Sequence, residues 1–212
     1  MQTEIVIQVA FLLLTLGIFL SIYNLPKKAL TKLRSSNHRA AAQSNRHFLR
    51  GAQLLSRARS TRNRPASLSL ANDALAEADK ALALQPRDPA AHILRGLAQD
   101  LLGHKSSALR SLDAALSPPS VKLLSVGEKS DALVKRAEIQ MAVNRRRRID
   151  SAVSDLVEAV ALTRDNVKAF CLLGQCYEQK RMWAEAQKAY EEALKIEPEC
   201  LSAREGLGRA RS

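Results

Sequence analysis

Residues 167–200 read VKAFCLLGQCYEQKRMWAEAQKAYEEALKIEPEC. Phe170, Leu173, Gly174 and Tyr177 fall on one face of a first helix, and Ala186, Tyr190, Ala193 and Leu194 fall on one face of a second. Small side chains at Gly174, Ala186 and Ala193 let helix backbones approach closely, and the aromatics fill the space where the helices cross. Pro198 ends the second helix, because it has no amide hydrogen and crowds the turn before it.

Working outward, the pattern recurs. Residues 89–122 carry His92-Ile93-Leu94-Arg95-Gly96, then Ala108, Leu112, Ala115 and Leu116; residues 44–88 carry His47-Phe48-Leu49-Arg50-Gly51, then Ala74, Ala78, Ala81, Leu82 and Pro86. A third copy at 130–166 has Leu133, Ala137, Ala152, Leu156 and Ala159. The segment 167–200 resembles a tetratricopeptide repeat (TPR), with Phe170, the Leu173-Gly174 pair, Tyr177, Ala186, Tyr190, Ala193 and Pro198 at the family's spacing. Extra residues around 59–70 and 118–125 and a long arginine-bearing turn at Arg145, Arg146, Arg147 and Arg148 are departures from it. The resemblance implies an all-α, TPR-type α-solenoid of about four helix pairs (44–88, 89–122, 130–166, 167–200), closed by a capping helix at 201–212.

The N-terminus reads differently. Residues 5–23, IVIQVAFLLLTLGIFLSIY, contain no charge and would make a helix about 28 Å long. Eleven basic residues and no acidic one follow between 27 and 64, beginning with Lys27, Lys28, Lys32 and Arg34. Hydropathy and charge together predict one N-terminal transmembrane helix at 5–23 and a basic juxtamembrane linker at 24–43. They give a single-pass membrane protein with residues 27–212 facing the cytosol, on an endomembrane or an organelle outer membrane. A cleaved signal peptide fits less well, because the start is acidic and the apolar run is long.

In a repeat array of this kind the first helix of each pair lines the concave side. The residues offset by one from the core face are Phe48, Ala52, Ile93, Leu97, Val134, Glu138, Cys171 and Gln175, and the resemblance implies that they form a protein-binding groove. The Arg145 to Arg148 run is a candidate contact for anions such as phosphates or lipid headgroups.

The net charge of +12 resides mostly in the 27–64 block, so composition gives no general nucleic-acid-binding surface. Cys171, Cys176 and Cys200 show no CxxC spacing, and His38, His47, His92 and His104 have no partners at metal-ligand spacing. Core or groove packing is expected of His47 and His92, and packing in the inter-helix turn of Trp183. Gly206-Leu207-Gly208 lacks the strand and the Lys-Ser/Thr of a phosphate loop. No enzyme activity, metal or cofactor is expected.

The implied function is a membrane-tethered adaptor or scaffold that holds a protein partner in the groove. The alternative is a client or precursor receptor on an organelle outer membrane. TPR proteins that dock heat-shock chaperone tails resemble one another in clamping carboxylates with Lys, Asn and Arg on their first helices. The apolar residues and Glu138 at those positions here exclude such a tail and favour an apolar or amphipathic segment.

Overall fold

The computed structural model describes residues 2–143 and 145–211, and within them every side chain except those at 2–7, 9–11, 17, 20–37 and 145–147. The chain divides into two compact units, Met1–Gln43 and Ser44–Ser212. Helix α1 spans Gln2–Ser60, and its residues from Ser44 onward belong to the second unit. There follow α2 (Arg64–Leu84), α3 (Pro89–Leu101), α4 (Lys105–Leu116), a 3-10 turn (Ser120–Leu123), α5 (Val126–Val143), α6 (Arg145–Leu162), α7 (Val167–Gln179), α8 (Trp183–Ile196) and α9 (Leu201–Arg211). Among the described residues there is no strand.

Local chemistry sets the helix starts. The Asp88 carboxylate accepts from the Ala90 amide at 3.0 Å, and Pro89, which has no amide hydrogen to satisfy, occupies the first position of α3. Asn166 caps α7 by accepting from the Ala169 amide at 3.0 Å. At α5, Ser125 and Glu128 satisfy each other's backbone amides: the Glu128 carboxylate accepts from Ser125 N at 2.9 Å, and Ser125 Oγ accepts from Glu128 N at 3.3 Å.

In the second unit each helix packs against the next in chain order, and the contacts are made largely by alanine. Ala74 and Ala78 of α2, Ala108 and Ala115 of α4, Ala152 and Ala159 of α6, and Ala186 and Ala193 of α8 are all fully buried. Larger side chains fill the gaps, with Leu112, Leu133, Leu156 and Tyr190 inaccessible to solvent. This is the all-helical solenoid that the repeats imply. Two serines at matching repeat positions add long-range ties: Ser44 Oγ donates to the carbonyl of Ala81 at 3.1 Å, and Ser130 Oγ to that of Ala159 at 3.2 Å.

The long turn expected in the third copy is not there. Arg145 opens α6 directly after Val143 and the undescribed residue 144, so the extra residues lengthen α5 and α6 to 18 residues each. Arginine is a good helix former, and neither glycine nor proline stands between Gly127 and Gly174 to stop the chain. In the first copy, likewise, extra residues extend α2 to 21 residues.

The expected membrane span is overturned. Among the described residues no helix is long and apolar enough to cross a membrane. The described side chains of the 5–23 run are Gln8, residues 12–16, Ile18 and Phe19. The rest of that run, and Lys27, Lys28, Lys32 and Arg34, lie outside the described side chains. The hydropathy reading took the uncharged run as a separate element, whereas it is the first part of a 59-residue helix. The assignment as a single-pass membrane protein facing the cytosol falls with the span.

Candidate functional site: a groove along the first helices

The later part of α1, with α3 and α5, borders a cavity of about 860 Å3. Phe48, Ala52, Ile93, Leu97 and Val134 line it, together with Leu55, Leu94 and Leu101. These apolar side chains are held from behind: Phe48, Ala52, Leu97 and Leu101 pack on Leu55, Ala74, Ala78, Leu94 and Ala98, and Ile93 packs on Ala108, Leu109, Leu112 and Ile139. The apolar face is therefore anchored in the core of the unit.

Charges border this floor, and most are already paired. Lys135 reaches Asp100 at 2.8 Å and Glu138 at 3.0 Å, Lys105 also pairs with Asp100, and Lys168 reaches Glu138 at 3.2 Å. Burial pushes the Asp100 carboxyl up, but hydrogen bonds from Lys105 and Lys135 outweigh it and hold the group below its ordinary value. Glu138 is treated alike: burial raises it, the ammonium groups of Lys135 and Lys168 lower it further, and the net shift is downward. Lys135 is shifted up, the two carboxylates prevailing over its burial. The resulting ladder links α3, α5 and α7.

Not every predicted groove residue lies in the cavity. Glu138 stands beside it through its pairs with Lys135 and Lys168. Cys171 is buried elsewhere, among Ala186, Tyr190, Ala193 and Ala203, because α9 packs over α7 and α8 and covers it. Gln175 is half-buried and does not line the cavity. Of the arginine run, Arg148 is exposed and the side chains of Arg145, Arg146 and Arg147 lie outside the described residues.

Residues missed from the sequence extend the same stripe. Ala90, Asp131 and Lys168 line the cavity three residues before Ile93, Val134 and Cys171, and Arg59, Asn166 and Lys135 complete its polar border. Continuing the helical stripe one turn toward each N-terminus finds the first three. The expectation of simple packing also changes for His47 and Trp183. His47 Nδ1 donates to the buried carboxylate of Glu77 at 2.7 Å, and that bond, aided by Lys80, holds Glu77 below its ordinary value. Trp183 opens α8 and is 49% exposed. His92 Nε2 lies 3.0 Å from the Pro86 carbonyl, and His38 and His104 are exposed. Among the described residues no three His, Cys, Asp or Glu side chains converge to hold a metal.

The tetratricopeptide repeat model matches residues 167–200. No curated protein matches the sequence. Similar folds occur in MamA, with a TM-score of 0.64 and 18% identity over 79% of this chain and 80% of that one. They occur also in YrrB, described as a TPR protein with an unusual peptide-binding site (TM-score 0.57, 19% identity, 68% and 70% of the two chains). A third is a thermophilic TPR protein of Thermus thermophilus (TM-score 0.55, 20% identity, 79% and 80%). The tetratricopeptide repeat match thus covers the last helix pair, residues 167–200, and the helical array as a whole shares its fold with MamA and YrrB.

Proposed function

We propose that the chain is a protein-binding scaffold whose groove holds an apolar or amphipathic helical segment of a partner protein, with residues 44–200 as the repeat module and 201–212 as its cap. The observation that carries this reading is the cavity of about 860 Å3 lined by Phe48, Ala52, Ile93 and Leu97, which are packed on the core yet only partly buried, and by the buried Val134. A helix presenting apolar residues at i, i+3/i+4 and i+7 suits such a floor. The description of YrrB as a TPR protein with a peptide-binding site agrees with this use of the fold.

The paired charges narrow the partner further. A terminal carboxylate entering the groove would compete with Asp100 and Glu138 for Lys135 and with Glu138 for Lys168. A chaperone tail ending in Glu-Glu-Val-Asp is thereby disfavoured. Selecting peptides from a display library against the full chain, then titrating the best labelled peptide by anisotropy, tests the reading. The selected sequences should repeat apolar residues at helical spacing, and Ile93→Glu should weaken binding at least tenfold without changing the circular dichroism. Peptides that share only acidic C-termini, or that bind the Ile93→Glu variant equally well, would refute it.

A further inference from the structure

Two of the three cysteines touch at the C-terminal end of the array. Cys171 Sγ on α7 and Cys200 Sγ, immediately before α9, lie 3.7 Å apart, and both are free thiols. The Ser202 hydroxyl sits beside both, 3.3 Å from Cys200 Sγ and 3.5 Å from Cys171 Sγ. Cys176 stands apart, its Sγ 3.4 Å from Sδ of the buried Met141.

The three thiols have different surroundings. Cys200 is partly exposed, and the Ser202 hydroxyl, followed by the Ala203 amide in the first turn of α9, draws its thiol below the ordinary value. Burial pushes the Cys171 thiol up, and it pushes that of Cys176 up to about 12. An accessible thiol that ionises readily, in contact with a second, buried one, is the arrangement in which the first is oxidised and the second resolves it.

We propose that Cys200 and Cys171 form a hydroperoxide-responsive dithiol whose oxidation ties the capping helix α9 to α7. The Cys200 thiolate attacks one oxygen of hydrogen peroxide and the O–O bond breaks. The departing hydroxide takes up the thiol's proton as water and leaves Cys200 as a sulfenic acid. Cys171 then gives up its proton and attacks Cys200 Sγ; the S–O bond breaks, and the hydroxyl leaves with that proton as a second water. Two thiols are oxidised to one disulfide and one peroxide is reduced to two waters. The sulfur atoms need only close from 3.7 Å to the bond length of about 2.05 Å. Cys171 lies under α9 with Tyr190 and Ala203, so the bridge fixes the cap over the last helix pair.

Treating the full chain with hydrogen peroxide, alkylating the free thiols and mapping peptides without reductant tests the proposal. The expected result is loss of two of the three thiols, one intramolecular Cys171–Cys200 bridge, and Cys176 recovered as the alkylated thiol. Dithiothreitol should restore all three thiols, and the oxidised chain should unfold at a higher temperature than the reduced one. In a Cys171→Ser variant Cys200 should persist as a sulfenic acid captured by dimedone, roughly tenfold in excess of Cys176; the wild-type map decides the matter alone if that variant does not fold. First oxidation at Cys176, a Cys200 bridge between two chains, or oxidised Cys200 persisting beside a reduced Cys171 would each overturn the proposal.

Discussion

A Cβ built on Gly206 would stand 2.3 Å from Cζ of Tyr190, so α9 approaches the buried tyrosine of α8 at a distance that only a hydrogen allows. A Cβ on Gly174 of α7 would likewise stand 2.6 Å from the same ring. Two backbones thus approach the tyrosine closely, and the last helix pair and its cap share one side chain.

Gly206→Ala should therefore destabilise the chain by about 1–3 kcal/mol, since the ring has no free volume into which to move. Gly208, two residues on, has nothing within 4 Å of a built Cβ, and Gly208→Ala should gain up to about 1 kcal/mol from helix propensity. Urea unfolding of the two variants separates the cases. Equal behaviour would mean that α9 does not dock on Tyr190.

Arg181 occupies the same repeat position as Gly103, and both have left-handed backbones, with φ of 59° and 84°. Left-handed geometry costs a side chain about 1–2 kcal/mol, against about 0.5–1 kcal/mol of extra chain entropy for glycine. Arg181→Gly should be neutral to mildly stabilising. Thermal unfolding checks this; a loss of several degrees would show that the Arg181 side chain holds the turn.

Arg136 of α5 grips Asp155 of α6 with two hydrogen bonds, Nε–Oδ2 at 2.7 Å and Nη2–Oδ1 at 2.6 Å, and touches Asp113 of α4 at 3.0 Å. Asp155 is buried and Asp113 exposed. Removing Asp155 leaves the mostly buried guanidinium without its main partner, so Asp155→Ala should cost about 3 kcal/mol or more. Asp113→Ala should cost less than about 1 kcal/mol. Calorimetry on the two variants provides the comparison, and similar losses would contradict this division of roles.

The acid branch of the stability curve follows from Asp100, Glu138 and Glu77, all held below their ordinary values in the folded chain. Their contribution is fully present above the unfolded-state values, near 3.8 for Asp and 4.5 for Glu, and is lost as pH falls through the lower folded values. The urea midpoint should hold steady between about pH 7 and 5 and fall below about 4.5. Lys135→Met removes the cation shared by Asp100 and Glu138, so its curve should fall less steeply. Parallel curves for variant and wild type would assign the acid loss to other groups.

The helix pairs were legible in the sequence because their small and aromatic positions recur in the same order and spacing within each first helix, as at Gly51, Gly96 and Gly174. The groove floor was legible for the same reason, Phe48, Ile93 and Val134 sharing one repeat position. Cys171 shares that position too, yet α9 covers it: periodicity tells which face a residue occupies, not which neighbour lies on that face. The charge ladder from Asp100 to Lys168 joins three helices, which no single helical wheel displays. Arg145 to Arg148 were taken for a turn because charge suggests exposure, whereas exposure and helix are compatible. Hydropathy misled in the same manner at 5–23, where absence of charge stood in for a membrane-spanning element.

The most direct test of groove binding is hydrogen exchange of the full chain with and without the selected peptide. Protection should concentrate on residues 44–60, α3 and α5, around Phe48, Ile93 and Val134, with α2, α4 and α6 unchanged. Protection confined to the second helices of the pairs, or to α9, would contradict the account.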